Sequence, residues 1–142
     1  MSQEQISNML KSLEIQKKYI ESYQSQLRII DTNINELKRA KETIEGYTKL
    51  EENEEILVPV GANMFVFGKI ADTRKVLSHV GANILVKENA TKALERLTNR
   101  IHSLSEIKEK MEKELSSVVE QYRNLSRKVE EQYAEMLKKE KK

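Results

Sequence analysis

The sequence predicts a mainly α-helical fold with a small β unit: a long antiparallel two-helix coiled coil whose helices are joined by two tandem β-hairpins. Two patterns predict it. Apolar residues recur at every seventh position near both ends of the chain, and the sequence Val-Gly-Ala-Asn occurs twice in the middle, at 60–63 and 80–83. A charged fraction of 34%, with 5% aromatic residues and one proline, is typical of long helices rather than of one compact core.

The first helix is predicted over about residues 4 to 45. Two series of residues spaced by seven form its seam, the apolar stripe that faces a partner helix, and Gln16 is the polar exception. Ser2 and Gln5 are predicted to cap the start of the helix, and Gly46 is predicted to end it in a left-handed conformation. The seam residues are Ile6, Leu13, Ile20, Leu27 and Ile34 in one series, and Met9, Tyr23, Ile30, Leu37 and Ile44 in the other.

The second helix is predicted over about residues 90 to 139, with Asn89 as its N-cap. Its seam also has two series, with Lys108 as the single exception. The seam residues are Leu94, Ile101, Leu115, Tyr122, Val129 and Met136 in one series, and Leu97, Leu104, Met111, Val118 and Leu125 in the other. Because the chain leaves along one long helix and returns along another, we expect antiparallel pairing, with the two free helix ends side by side.

Between the helices, over residues 56–88, the apolar period changes from seven to two, which predicts short strands. Each Gly-Ala-Asn lies between two such strands, where Gly and Asn can adopt the positive φ of a tight hairpin turn. Residues 71–74 are predicted to connect the two hairpins. Pro59 cannot donate a hydrogen bond to a neighbouring strand, so it is expected on an edge strand or at a position of the ladder where no donor is needed.

The predicted hairpins carry more apolar side chains than two hairpins alone can bury, and isolated hairpins are marginal in water. We therefore expect strands of other subunits to complete a sheet or barrel with them. The predicted assembly residues are Leu57, Val58, Val60, Phe65, Phe67, Leu77, Val80 and Leu85.

This order of elements resembles the α-class subunit of prefoldin, of the archaeal type, over essentially the whole chain. The motifs that carry the resemblance are Leu57-Val58-Pro59-Val60-Gly61 and Val80-Gly81-Ala82-Asn83, and two hairpins rather than one mark the α class. The resemblance implies a single domain over residues 1–142. It also implies an ATP-independent co-chaperone that captures unfolded polypeptides and hands them to a group II chaperonin. Its implied assembly is a hetero-hexamer of two α and four β subunits with a double β-barrel body.

Client capture is expected to rest on apolar side chains at the free helix ends, some of which lie outside the seam. Methionine among them suits promiscuous binding because its side chain is flexible and polarizable. In the middle of a helix, by contrast, a seam residue is interpreted as core. The candidate client-binding residues are Ile6, Met9, Leu10, Leu13, Ile15, Tyr122, Leu125, Val129, Tyr133, Met136 and Leu137.

Other functions are disfavoured by the sequence. The two histidines, His79 and His102, have no second ligand at coordinating spacing and cysteine is absent, so no metal, cofactor or enzymatic activity is predicted. A formal net charge of +2 argues against nucleic-acid binding. No apolar run is long enough for a membrane span and no signal-peptide pattern is visible, so a cytoplasmic location is expected. The alternative function is a structural coiled-coil oligomer or filament former that binds no client.

Overall fold

The computed structural model describes residues 2–140 and contains two long helices and four short strands. In chain order these are α1 (Gln3–Thr48), β1 (Glu55–Gly61), β2 (Met64–Lys69), β3 (Lys75–His79), β4 (Leu85–Asn89) and α2 (Ala90–Glu140). The predicted fold class, two long helices joined by two small antiparallel hairpins, is confirmed. The chain forms two compact units, a helical unit (residues 2–32 and 105–140) and a β unit (residues 33–104).

The start of α1 is capped as predicted. The Gln5 backbone N–H donates to Ser2 Oγ at 3.2 Å, and the Ser2 backbone N–H donates to Gln5 Oε1 at 3.1 Å. These reciprocal bonds satisfy two backbone donors that have no partner within the helix.

The end of α1 differs from the prediction, because Gly46 lies inside the helix. Among the described residues, the glycines with positive φ are Gly61 and Gly81. The Tyr47 hydroxyl donates to the carbonyl oxygen of Asp72, in the connection between the hairpins. The prediction that Gly46 ends the helix was wrong because this tertiary contact favours one more helical turn, which ends at Thr48.

The four strands form two separate two-stranded antiparallel sheets, β1 with β2 and β3 with β4. Their pairing registers are equivalent, with an offset of twenty residues. Leu57 pairs with Phe67, Val58 with Val66 and Pro59 with Phe65; Leu77 pairs with Lys87, Ser78 with Val86 and His79 with Leu85. The internal repeat of the sequence is therefore a structural repeat.

Each hairpin turns through three successive residues with positive φ. In the first turn φ is 103° at Gly61, 49° at Ala62 and 59° at Asn63, and the second turn repeats these values within a few degrees. Positive φ at both central residues, Ala62 and Asn63, is the pattern of a two-residue type I′ turn, whose twist matches that of the flanking strands. The predicted roles of Gly and Asn are confirmed, whereas the left-handed alanines were not predicted.

In the helical unit the two helices pair antiparallel. The Tyr23 hydroxyl donates to Glu114 Oε2, and Lys108 Nζ lies 2.5 Å from Asp31 Oδ1. As α1 is followed forward from Tyr23 to Asp31, the partner on α2 moves back from Glu114 to Lys108. This reversal establishes the antiparallel direction.

In the β unit, α2 begins directly after β4, as expected from Asn89. The Ala90 backbone N–H donates to the Arg74 carbonyl oxygen at 2.8 Å, and Ala90 is buried together with Ala93, Ile34 and Ile70. The Asn89 side-chain oxygen accepts a hydrogen bond from Lys75 Nζ at 2.7 Å. Asn89 thus precedes the helix as predicted, but its side chain ties β4 to β3 across the sheet.

Candidate functional site

The helical unit divides the eleven predicted client-binding residues into packed and exposed groups. Ile6 and Val129 are 5% exposed and form the core of the helix pair at this end. The other seam residues in the group are half-buried: Met9, Leu13, Tyr122, Leu125 and Met136. The four residues outside the seam are exposed: Leu10, Ile15, Tyr133 and Leu137.

A cleft of about 250 Å³ lies between the start of α1 and the end of α2. It brings together four of the predicted client-binding residues, two from each helix. Its volume is below the range of about 300–1,000 Å³ that is usual for small-molecule sites. The cleft is therefore smaller than a usual small-molecule site. Its lining residues are Gln3, Ile6, Ser7, Leu10, Tyr133 and Met136.

Three further apolar side chains of the helical unit are exposed, and sequence reasoning did not single them out: Tyr19, Ile29 and Ile107. Tyr19 packs beside Tyr23 with a ring-centroid distance of 4.6 Å. Ile29 is 60% exposed. Their position outside both seam series could have predicted their exposure. Single exposed apolar residues are, however, common on protein surfaces.

Two polar ties join the helices in the helical unit. The hydrogen bond to Glu114 raises the pKa of the Tyr23 phenol, because it favours the neutral, donating form of the hydroxyl. The contact with Asp31 raises the pKa of Lys108, because the neighbouring carboxylate stabilises the ammonium. Lys108, the charged exception in the α2 seam, therefore has a compensating partner on α1.

The β unit exposes all eight predicted assembly residues, of which Phe67 is the most exposed at 77%. Three further strand residues are exposed, Met64 and Val66 of β2 and Val86 of β4, as is Ile84 directly before β4, although they were not among the predicted assembly residues. Successive strand residues point to opposite faces, so Leu57 and Val58 place apolar surface on both faces of the first hairpin. An apolar surface of this kind is typical of a site of association.

The strands also have free backbone edges. Because each sheet contains two strands, each strand pairs on one side and leaves backbone N–H and C=O groups without a strand partner on the other. Two-stranded sheets are marginal in water unless further strands or packing complete them. Exposed apolar faces together with open edges can accept strands from other chains.

A polar cluster fixes the start of α2 on the second hairpin. Arg96 Nη1 donates to Glu88 Oε2 at 2.9 Å, and Arg96 Nη2 donates to Ser78 Oγ at 3.2 Å. The Ser78 hydroxyl and then the Arg96 guanidinium lower the pKa of the Glu88 carboxyl, since both favour its charged form. This cluster orients the second hairpin on the helix that follows it.

Among residues 2–140, no group of three His, Cys, Asp or Glu side chains is placed to hold a metal ion. Within the same residues, neither helix has a stretch that is long and apolar enough to cross a membrane.

The chain is similar in sequence to proteins of one family. The family model described as Prefoldin subunit matches residues 16–135. The prefoldin subunit alpha of Methanopyrus kandleri is 36% identical over 87 residues, which span 61% of this chain and 55% of that relative. The prefoldin subunit alpha of Thermofilum pendens is 33% identical over 105 residues, which span 74% of this chain and 81% of that relative.

Two solved structures share the fold. The cryo-EM structure of filamentous PFD from Methanocaldococcus jannaschii has a TM-score of 0.68 at 23% identity, covering 81% of this chain and 95% of that chain. The prefoldin beta subunit from Thermococcus strain KS-1 has a TM-score of 0.62 at 19% identity, covering 89% and 90%. At these identities the likeness shows the fold alone.

Proposed function

Because the chain belongs to the prefoldin family, in its α class, we propose that it is a subunit of an ATP-independent chaperone that captures unfolded polypeptides. In this proposal the apolar helix ends hold the client and the complex delivers it to a group II chaperonin in the cytosol. The hairpins join the chain to β-class subunits in a hetero-hexamer of two α and four β subunits. Capture needs no nucleotide hydrolysis, since apolar contact alone retains the client.

The observation that carries the proposal is the apolar surface at the helix ends. Leu10 and Tyr133 border the cleft between α1 and α2 and are themselves exposed. Burying an apolar side chain contributes about 1.5–3 kcal/mol, so a few such contacts hold a polypeptide segment weakly. Several subunits acting on one client multiply these weak contacts through effective concentration.

The capture proposal is tested by suppression of client aggregation. The four exposed end residues Leu10, Ile15, Tyr133 and Leu137 are replaced by Ser, and the assembled complex is added to a chemically denatured client as it is diluted. Because each lost contact of about 1.4 kcal/mol lowers an affinity tenfold, we expect the complex to bind its client at least about tenfold more weakly.

The matched control replaces Ile29 and Ile107 by Ser. These residues are also exposed and apolar, one on each helix, but they lie outside the cleft. We expect the control to protect the client as the unmodified chain does. Equal loss in both variants would refute capture at the helix ends and would indicate general apolar adhesion.

The second candidate function is that of a structural oligomer or filament former, favoured by the exposed faces and open edges of both hairpins. Native mass spectrometry of the chain alone and after co-expression with β-class subunits separates the two functions. A discrete hetero-oligomer with two copies of this chain supports the chaperone subunit. A homopolymer that incorporates no β-class subunit supports the structural alternative.

A further inference from the structure

Gln16 interrupts the apolar seam of α1 without a compensating partner. Its side-chain oxygen is buried and accepts no hydrogen bond from any described residue. A buried polar group without a hydrogen bond destabilises the packed state, because the group is fully hydrated when the helices separate.

The polar interruption of the other seam differs in this respect. Lys108 lies 2.5 Å from Asp31 on α1 and 3.8 Å from Glu112 on its own helix, so its charge is compensated when the helices are packed. Separating the helices at Lys108 breaks an ion pair, whereas separating them at Gln16 leaves an amide free to bind water. The two interruptions therefore have opposite effects on opening.

The polar ties between the helices lie on one side of Gln16. Tyr23 with Glu114, and Asp31 with Lys108, join the two helices further from their free ends. One heptad back from Tyr23, the antiparallel register places Gln16 near Gln121. Among the described residues, no hydrogen bond or ion pair joins residues 2–15 to residues 124–140, so apolar packing alone holds that stretch together.

We propose that Gln16 sets the point from which the two helix ends separate, and that this opening presents the buried seam residues to the client. Opening as far as Gln16 hydrates its amide and exposes Ile6, Met9 and Leu13 of α1, together with Val129 and Met136 of α2. The polar ties at Tyr23 and Lys108 stop the separation. The link to client binding rests on the proposed function, but the position of the opening does not.

Hydrogen exchange of the assembled complex tests where the helices open. Gln16→Leu restores an apolar seam. We expect the backbone amides of residues 6–15 to exchange at least about tenfold more slowly in this variant. Gln16→Asn keeps an amide in the seam and should leave protection unchanged. Gln24→Leu makes the same replacement at an exposed position of α1 and should also have no effect.

Two exchange results would overturn the proposal: unchanged protection in Gln16→Leu, or an equal gain in Gln24→Leu. Client capture is then measured by suppression of aggregation. If the ends must open, Gln16→Leu should bind clients about tenfold more weakly than the unmodified complex while assembling normally. Unchanged capture with raised protection would refute the link between opening and binding. If the unmodified complex captures no client, the proposed function fails, while the exchange result still decides the role of Gln16.

Discussion

The hairpin turns combine residues that fit their backbone with residues that do not. Gly61 and Gly81 have φ near 104°, beyond the left-handed helical region that other residues can reach, and Asn63 and Asn83 tolerate positive φ through their short polar side chains. The alanines between them have no such compensation, and a left-handed conformation costs an ordinary residue about 1–2 kcal/mol. The paired strands on either side of each turn must therefore hold its alanine in this unfavourable conformation.

We expect Gly81→Ala to lower the free energy of unfolding by more than about 1 kcal/mol, as measured by urea denaturation. A Cβ at this position would meet no atom within 4 Å, so the loss would report backbone strain alone. Gly46→Ala is the matched control, since its surroundings are equally open and it lies inside α1. It should raise stability by about 0.5–1 kcal/mol. A change of the same sign in both variants would contradict the assignment of these backbones.

We expect Tyr23 to ionise at a pH above the ordinary tyrosine value of about 10, because its neutral hydroxyl donates to Glu114. Since the folded-state pKa is raised, the stabilisation is fully present below that ordinary value and is lost as the pH rises above it. Phenolate absorbance followed during alkaline titration measures the effect. Glu114→Gln should move the Tyr23 transition to lower pH, and Tyr23→Phe should remove it. Identical titrations of Glu114→Gln and the unmodified chain would exclude the Glu114 carboxylate charge as a cause of the raised Tyr23 pKa.

At the scale of the elements, the seams provide the apolar attraction between the helices and the polar ties specify their register. A regular seven-residue repeat permits sliding by one heptad, which would bury similar apolar surface. Sliding would separate Tyr23 from Glu114 and Asp31 from Lys108. These two contacts therefore favour one register over its neighbours.

Charge reversal at Lys108 tests this role of the ion pair. Lys108→Glu places a third carboxylate beside Asp31 and Glu112, and we expect it to lower the free energy of unfolding. Adding Asp31→Lys should restore part of the loss, giving a measurable coupling energy in a double-mutant cycle by thermal unfolding. If the double variant is no more stable than Lys108→Glu alone, the ion pair does not contribute to the register.

The hairpins should tolerate a charge in the isolated chain but not in the assembly. Phe65 and Val80 are exposed here, so Phe65→Asp or Val80→Asp should leave the helical content unchanged by circular dichroism. In a shared β core either variant would bury an unpaired charge, so we expect no complex with β-class subunits in gel filtration. The matched control is Asn83→Asp, which places the same charge at the hairpin turn, in a backbone conformation that Asp tolerates. We expect this variant to assemble normally. An intact complex with Phe65→Asp or with Val80→Asp would refute the predicted assembly surface.

For the whole molecule, the proposal assigns client capture to the helix ends and assembly to the hairpins. Deleting residues up to about Leu13 and from about Tyr122 should abolish client capture and leave the hetero-oligomer intact, because the hairpins remain complete. Native mass spectrometry and aggregation suppression measure the two properties on the same sample. Loss of both together would show that capture and assembly are not separable in this chain.

Much of the fold could be predicted from the sequence. The α1 cap at Ser2 and Gln5, the positive φ at Gly61 and Asn63, and the repeat of one hairpin in the next all depend on residues close together in the chain. The client-binding residues at the helix ends stay predictions, although the structure brings Ile6, Leu10, Tyr133 and Met136 together around one cleft. The exposed Ile29 and Ile107 were not anticipated, because sequence periodicity describes which residues pack and not which surfaces act.

The sequence by itself determined the two helical seams, the strands and the turns, because a periodic apolar pattern and turn chemistry act over a few neighbouring residues. Only the tertiary structure decided that α1 continues past Gly46, that Lys108 forms an ion pair with Asp31, and that the Gln16 side-chain oxygen has no hydrogen-bond partner. These features depend on groups that are far apart in the chain and meet only when the helices and hairpins pack. Local propensity does not determine such contacts. Their energies favour one conformation among several that the sequence pattern alone allows.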